Sequence, residues 1–356
     1  MPRMITLDKG AAAPLYQQVK AGLLAQINAG AFTPDQPIPT ERELAESLGL
    51  SRLTVRRSIL ELAEQGLLRR IPGRGTFIVT GVPKPPMSTV SLVMPGDRLP
   101  YDLSGPFYMH LLDSLYRAVQ PATLALRGAA TGPERLRDSQ GIVALWVTER
   151  QRLQELAATG LPLVGYECAP DPAAPECDNI SHANEDGSYA AACSLIGLGH
   201  TDIGMIMHHT TVAAERRAGF ERAMRQHGLA PPAGRIHTAM ATSEAGYALG
   251  RRLLLDAGNA PTALLCTDDT IAYGVLAAAQ ELGRQVPGFL SIVGFGDLGQ
   301  FTTPALSSVR MDIAASGRET VRLLRERAAD PSLPPRSVIL PTEYIRRASC
   351  GPPRAP

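Results

Sequence analysis

The sequence predicts an α/β protein in two parts. A small N-terminal module of three helices and a hairpin precedes a larger, two-lobed body built on parallel sheets. Three observations carry the prediction. The chain has 356 residues, and at about 150 residues per domain that implies two or three domains. Residues 81–89 (GVPKPPMST) hold three prolines and a glycine, the composition of a linker. From Val90 onward short apolar runs alternate with helical segments for about 260 residues, a pattern that implies parallel sheets and is long for a single one. The expected divisions are therefore 1–80, a linker at 81–89, and a body at 90–350, with a frayed tail after Ser349.

Composition narrows the class. Charged residues make up 19% and apolar residues 44%, which excludes a disordered or collagen-like chain. No apolar run reaches the roughly 18 residues of a membrane helix, and no charged segment followed by an apolar one opens the chain, so no membrane partner is expected. The five cysteines (168, 177, 193, 266 and 350) are sparse and odd in number, which argues for reduced thiols in a cytoplasm rather than a disulfide framework. The net charge of +1 hides an asymmetry. Residues 1–80 carry ten basic and seven acidic side chains, a net +3, and the remainder is −2. The window 52–74 alone is +4, with six arginines against Glu61 and Glu64. Arginine suits bidentate contacts with phosphates and guanine edges.

The first helix starts at Pro14, with Leu15, Val19, Leu23 and Ile27 in an apolar stripe. Thr40 and Glu43 form a T-x-x-E capping box for the second helix, and Gly49 ends it. Ser51 caps a third helix, which Gly66 closes, with Val55, Ile59 and Leu62 facing inward. Arg52 and Arg56 are four residues apart and share one face of its first turns. The short connection Gly49–Leu50–Ser51 fits a helix-turn-helix, in which the first turns of the second helix reach base edges. The following LLRRIPGRGTFIV reads as two strands around PGRG, a wing with Arg74 at its tip between glycines, able to enter a minor groove.

The run PTERELAESLGLSRLTVRRSILELAEQGLLRRIPGRGTFIV closely resembles the winged helix of GntR-type transcription regulators. The resemblance implies that Arg42, Arg52 and Arg56 contact DNA, that Ser51 and Thr54 help anchor phosphates, and that Gly73 and Arg74 form the wing tip.

In the body, strands are expected at Val90–Met94, Ile142–Val147, Pro162–Tyr166, Ile203–Met207, Thr262–Cys266 and Ser291–Phe295. Helices are expected at Phe107–Val119, Glu185–Ile196, Glu215–His227, Glu244–Leu255, Asp269–Leu282 and Ile313–Arg327. Ligands bind beyond the carboxyl ends of the strands in such sheets. The residues that follow the strands are Phe107 and Tyr108, Trp146, Glu167, Arg216 and Arg217, Asp268 and Asp269, and Asp297. Carboxylates and arginine can hydrogen-bond adjacent hydroxyls while aromatic faces cover apolar C–H surface, the chemistry of a polar small-molecule cleft that can hold a sugar. Asp269 is expected to cap its helix, leaving Asp268 freer to meet a ligand. His208 and His209 read as polar loop residues.

Four stretches, including NEDGSYAAACSLIGLGHTDIGMI and PTALLCTDDTIAYGVLAAAQELGRQVPGFLSIVGFGD, resemble the effector domain of LacI/GalR-type repressors, itself similar to periplasmic sugar-binding proteins. The resemblance spans roughly 90–347. It implies a two-lobed, periplasmic-binding-protein-like fold, with Arg216 gripping the ligand, Asp268 bonding its hydroxyls, Glu167 as a further acidic contact, and Phe107 and Tyr108 on the cleft wall. The family usually carries two acids after VGF; here the pair is Gly296–Asp297. A Pro-rich linker replaces the usual hinge helix. The pairing of this reader with this sensor is similar to the arabinose repressor group.

The expectation is a ligand-responsive regulator, most simply a repressor, that binds double-stranded operator DNA as a homodimer and senses a small molecule, a sugar or a relative of one. The alternative is a cytoplasmic small-molecule-binding protein with no direct regulatory role. No G-x-S-x-G, P-loop or G-x-G-x-x-G follows a strand in the required context, so no enzyme is expected. Cys168, Cys177, His182 and Cys193 lack C-x-x-C spacing, so neither a metal nor a cofactor is expected.

Overall fold

A computed structural model describes residue 7, residues 14–28, 32, 36–64, 68–71, 74–78, 88–94, 105–128, 131–136, 138–168, 176–230, 234–299 and 302–354. The chain divides into two compact units, Met1–Lys84 and Pro85–Pro356.

The first unit holds α1 (Leu15–Asn28), α2 (Glu41–Leu48), α3 (Arg52–Glu64), β1 (Leu68–Ile71) and β2 (Gly75–Ile78). Local chemistry sets the ends of α2. Glu43 N–H donates to Thr40 Oγ1 at 3.3 Å, and Thr40 N–H donates to Glu43 Oε2 at 2.7 Å, closing the capping box. These bonds from Thr40 hold the Glu43 carboxyl below the usual range. Gly49 follows α2 in the left-handed region at φ +62°. Thr54 N–H then donates to Ser51 Oγ at 3.2 Å, so Ser51 caps α3. Val19, Leu23, Leu44, Val55, Ile59, Leu62 and Leu68 form the core of this unit. β1 and β2 pair antiparallel, Leu68 opposite Ile78 and Ile71 opposite Gly75. A bridge from Pro37 to Phe77 and a bond from Ile38 N–H to Thr76 O at 2.8 Å fasten the chain before α2 to the wing.

The second unit begins with β3 (Thr89–Val93), α4 (Pro106–Val119), β4 (Thr123–Arg127), β5 (Gly141–Leu145), α5 (Arg150–Ala157), β6 (Leu163–Tyr166) and β7 (Asp178–His182). There follow α6 (Asn184–Gly197), β8 (Ile203–Met207), α7 (Thr211–Gln226), β9 (Ile236–Thr238), α8 (Ser243–Leu255), β10 (Ala263–Cys266) and α9 (Asp269–Glu281). The chain ends with β11 (Ser291–Gly296), β12 (Ser307–Met311), α10 (Ile313–Ala329), β13 (Ser337–Leu340) and β14 (Thr342–Ile345). One sheet has the order β13-β7-β6-β5-β3-β4, all parallel. The other has the order β14-β12-β11-β10-β8-β9, parallel except for β14. These are two doubly wound lobes. The chain passes between them after β7, after β12 and after β13. The passages are laced together: Ala183 N–H donates to Leu340 O at 2.9 Å, and Thr342 Oγ1 donates to Ala183 O at 3.0 Å.

The expected strands and helices of the body all form, but several elements escape the sequence. β4, β7, β9, β12, β13, β14 and α5 are short or partly polar, so their periodicity does not stand out. α7 starts at Thr211 rather than Glu215, because Thr210 Oγ1 accepts from Ala213 N–H at 3.3 Å and caps it. Of the expected 81–89 linker, residues 81–87 lie outside the described residues, and Thr89 already pairs with Thr123 in β3. The tail is not frayed through Arg354. Cys350 is buried, Ile292 N–H donates to Ser349 O at 2.9 Å, and Arg354 donates to Phe289 O at 2.8 Å and Ala260 O at 2.6 Å.

Candidate DNA-reading surface and ligand cleft

In the first unit, Arg42, Arg52 and Arg70 surround one shallow depression with Thr40, Glu41 and the wing residues Ile71, Gly75 and Thr76. Arg42 is exposed and only loosely paired with Glu46, at 3.9 Å. Arg52, Arg56 and Arg74 are exposed, and neither an ion pair nor a side-chain hydrogen bond to a described residue holds them. Arg70 is tied to Glu41, and Arg57 lies over the Tyr16 ring, 3.8 Å from its centroid. Ser51 and Thr54 hydroxyls meet at 2.8 Å at the start of α3. The depression brings Arg42, Arg52 and Arg70 together, and exposed guanidiniums of this kind can donate to phosphates and base edges. Gly73 lies outside the described residues. The glycine with a visible structural reason is its neighbour Gly75: its φ is +122°, and a Cβ there would meet Pro37 Cβ at 2.9 Å.

The second unit has a cleft between its lobes of about 540 Å³, counting its open mouth. Phe107, Tyr108, Trp146 and Glu167 line it from the first lobe, and His208, Arg216, Asp268, Thr270, Phe295 and Met311 from the second. The aromatic wall is a set of edge-to-face pairs, with Tyr108 and Trp146 centroids 5.1 Å apart and Phe107 and Trp146 5.9 Å apart. Arg216 is buried on α7, its guanidinium 3.7 Å above the Phe295 ring. Its Nη1 donates to Thr267 O at 2.6 Å, and its Nε to Asn184 Oδ1 at 2.9 Å. Gly219 permits this placement, since a Cβ there would overlap the Glu185 carbonyl of α6. Glu167 accepts from Asn184 Nδ2 at 3.4 Å and sits 2.7 Å from His182 Nδ1, while His182 Nε2 lies 3.1 Å from Ser316 Oγ. Glu167 and Arg216, on opposite lobes, thus share Asn184 at the first passage of the chain.

Two non-glycine cleft residues have left-handed backbone: Trp146 at φ +47° after β5 and Glu167 at φ +50° after β6. Such conformations cost about 1–3 kcal/mol and persist where the surroundings enforce them. They turn both side chains across the strand ends toward the cleft.

Six of the seven expected ligand residues therefore share one cleft. Asp297 does not. It also has left-handed backbone, φ +54° after β11, but Arg347 Nη1 holds its Oδ1 at 2.7 Å and Arg310 Nε its Oδ2 at 2.8 Å. Burial opposes its ionisation, yet these bonds outweigh burial and keep the carboxyl below the usual range. Asp297 lines a second cavity, with Asp269, Tyr273 and Arg347. The preceding Gly296 sits at φ +129°, where a side chain is strained, consistent with glycine replacing an acid there.

Asp268 takes the cleft position expected of it, but it also takes the helix cap expected of Asp269. Asp268 caps α9, accepting from Thr270 N–H at 2.7 Å, and still lines the cleft; burial raises its pKa. Asp269 is buried behind it, accepting from Ser308 Oγ at 2.6 Å and Leu298 N–H at 2.9 Å, and burial pushes it up to about 7. His208 was missed as a wall residue. It is 2% exposed, and burial first and the Arg216 charge second push it down to about 3, so it is a neutral imidazole. Its place directly after β8 was the signal available.

Known proteins fit this geometry. Residues 15–78 match the family of bacterial regulatory proteins of the gntR family, and residues 192–350 match the periplasmic binding protein-like domain. The HTH-type transcriptional regulator GalR of Lacticaseibacillus casei is 30% identical over 231 residues, covering 61% of this chain and 67% of that protein. The chain belongs to the bacterial transcription regulators that join a GntR-type helix-turn-helix to a LacI/GalR-type effector domain. The arabinose metabolism transcriptional repressor of Geobacillus stearothermophilus is 29% identical to this GntR–LacI/GalR regulator over 321 residues, 84% of this chain and 85% of the relative. A regulatory protein of LacI family from Chloroflexus aggregans shares the effector fold, with a TM-score of 0.62 and 26% identity over 73% of this chain and 98% of that one. Among the described residues no helix is long and apolar enough to cross a membrane.

Proposed function

We propose that this regulator is a repressor of the arabinose repressor group. It binds operator DNA as a homodimer and responds to a sugar or sugar derivative in the inter-lobe cleft. Arg42, Arg52 and Arg56 contact DNA, Ser51 and Thr54 anchor phosphates, and Arg74 with Gly73 enters the minor groove at the wing. In the cleft, Phe107, Tyr108 and Trp146 cover the apolar face of the sugar. Arg216 donates to its hydroxyls, Asp268 and Glu167 accept from them, and neutral His208 adds a further polar contact. The protein works by binding, without turnover.

One observation carries this reading: aromatic faces on one lobe oppose Arg216 and Asp268 on the other. A ligand that bridges them favours lobe closure, because it contacts both walls only when they approach. The full-length relative concerned with arabinose metabolism supports a sugar.

The test is a thermal-shift screen over pentoses, hexoses, their derivatives and nucleosides, followed by gel shifts on DNA upstream of the protein's own coding sequence. A ligand at 100 times its Kd stabilises by about 2.7 kcal/mol. A sugar that raises the melting temperature and changes the gel shift supports the reading. A nucleoside that does so in place of every sugar overturns the ligand class, and specific ligand binding with no DNA binding favours the plain binding protein instead.

A further inference from the structure

Leu53 is 77% exposed, more than any other large apolar residue described. It lies in the first turn of α3, whose buried face is Val55, Ile59 and Leu62, and at 3.6 residues per turn it points about 150° away from that face. The core of its own unit therefore cannot take it up. Its neighbours on the outward face are charged: Arg52 and Arg56 are exposed and unheld by described residues, and Arg57 is drawn back over Tyr16. A leucine at the centre of a basic, DNA-facing surface lacks a phosphate partner and cannot hydrogen-bond a base edge. The apolar group that a base presents in the major groove is the C5-methyl of thymine.

We propose that Leu53 is a specificity-determining residue that packs on a thymine methyl in each operator half-site, between bases or phosphates held by Arg52 and Arg56. The inference rests on the DNA-reading function above and adds which base the helix prefers and through which atom. Leu60 provides the internal control. It is 39% exposed on nearly the same face, but lies seven residues and about 10 Å further along α3, past the turns that enter the groove.

The test uses the full-length protein and a duplex selected by it from a randomised DNA pool. Each thymine of that duplex is replaced in turn by deoxyuridine, which removes only the methyl. Burying one methyl contributes about 0.8 kcal/mol, so a single replacement should weaken wild-type binding about fourfold, and the pair of replacements, one in each half-site, about fifteenfold. Leu53→Ala should lose a similar factor on the thymine duplex and no longer distinguish deoxyuridine from thymine, whereas Leu60→Ala should keep the discrimination. Leu53 is exposed, so its truncation leaves the core intact. The proposal is overturned if no single replacement weakens wild-type binding by about twofold, or if Leu53→Ala retains the full ratio. Selection that enriches no sequence overturns the DNA-reading function itself, and this proposal with it.

Discussion

Arg56 is exposed on the first turns of α3 with its guanidinium unheld by described residues, so its removal should cost DNA contacts without costing packing. Arg56→Ala is expected to weaken specific operator binding by about 1–3 kcal/mol, roughly 5- to 150-fold, in gel shifts at fixed salt; affinity within twofold or so of wild type would sink its assignment. Asp269 has a different consequence. Its folded pKa of about 7 lies above its ordinary 3.8, so between those values the native state holds a proton that the unfolded state has lost. Stability therefore falls as pH rises from about 4 to 7, the opposite of the usual carboxylate. Asp269→Asn should flatten that slope in urea unfolding across pH 4–7, and an unchanged slope would show that Asp269 is ionised throughout.

The wing and the C-terminal tail are decided by contacts that the elements make with remote segments. Gly75 opens β2 at φ +122° with Pro37 against it, so Gly75→Ala adds backbone strain and a clash together. We expect a loss of about 1–3 kcal/mol in the N-terminal unit and weaker operator binding, with effector affinity unchanged; an unaltered unfolding midpoint for that unit would refute the tight approach. In the tail, Gly351 O accepts from Ser291 Oγ at 3.1 Å and lies 2.9 Å from His200 Nε2, with both side chains buried. Deleting residues 350–356 strips these partners, and each buried group left unsatisfied costs about 1–3 kcal/mol. The truncated protein should unfold at distinctly lower urea concentration, and a midpoint equal to that of the intact chain would mean that the tail only decorates the lobe.

At the scale of the molecule, the proposed function requires effector and operator binding to be coupled, and the coupling should amount to about 1–3 kcal/mol, or a 5- to 150-fold change in operator affinity. Asp268→Asn keeps an oxygen to cap α9 while removing the acceptor charge from the cleft. The variant should bind operator as wild type does in the absence of sugar, and lose the sugar-dependent change. An intact response in Asp268→Asn would move the ligand's hydroxyl contacts elsewhere on the wall.

The caps of α2 and α3, the glycine turn between them, the Arg52–Arg56 pair and the alternation of strands and helices were legible in the sequence. Each is set by residues within about four positions of one another, or by a period that repeats along one element. The rule that ligands lie beyond strand ends picked out Phe107, Tyr108, Trp146, Glu167, Arg216 and Asp268, which line one cleft, because a parallel sheet sends every strand end to the same side. It failed for Asp297, which meets the same local rule but is captured by Arg310 and Arg347, 13 and 50 residues away in sequence. It left His208, which also follows a strand, as a polar loop residue, because its burial depends on neighbours such as Thr267, 59 residues away. From the sequence Asp268 falls at the cleft but the helix cap falls to Asp269, because one residue of helix phase separates the capping position from a buried, hydrogen-bonded acid. Local sequence determined the elements and the side of the sheet on which chemistry collects. Tertiary structure decided which of those side chains face open space and which are held by partners remote in sequence, because burial and ion pairing depend on neighbours that the chain supplies only once it has folded.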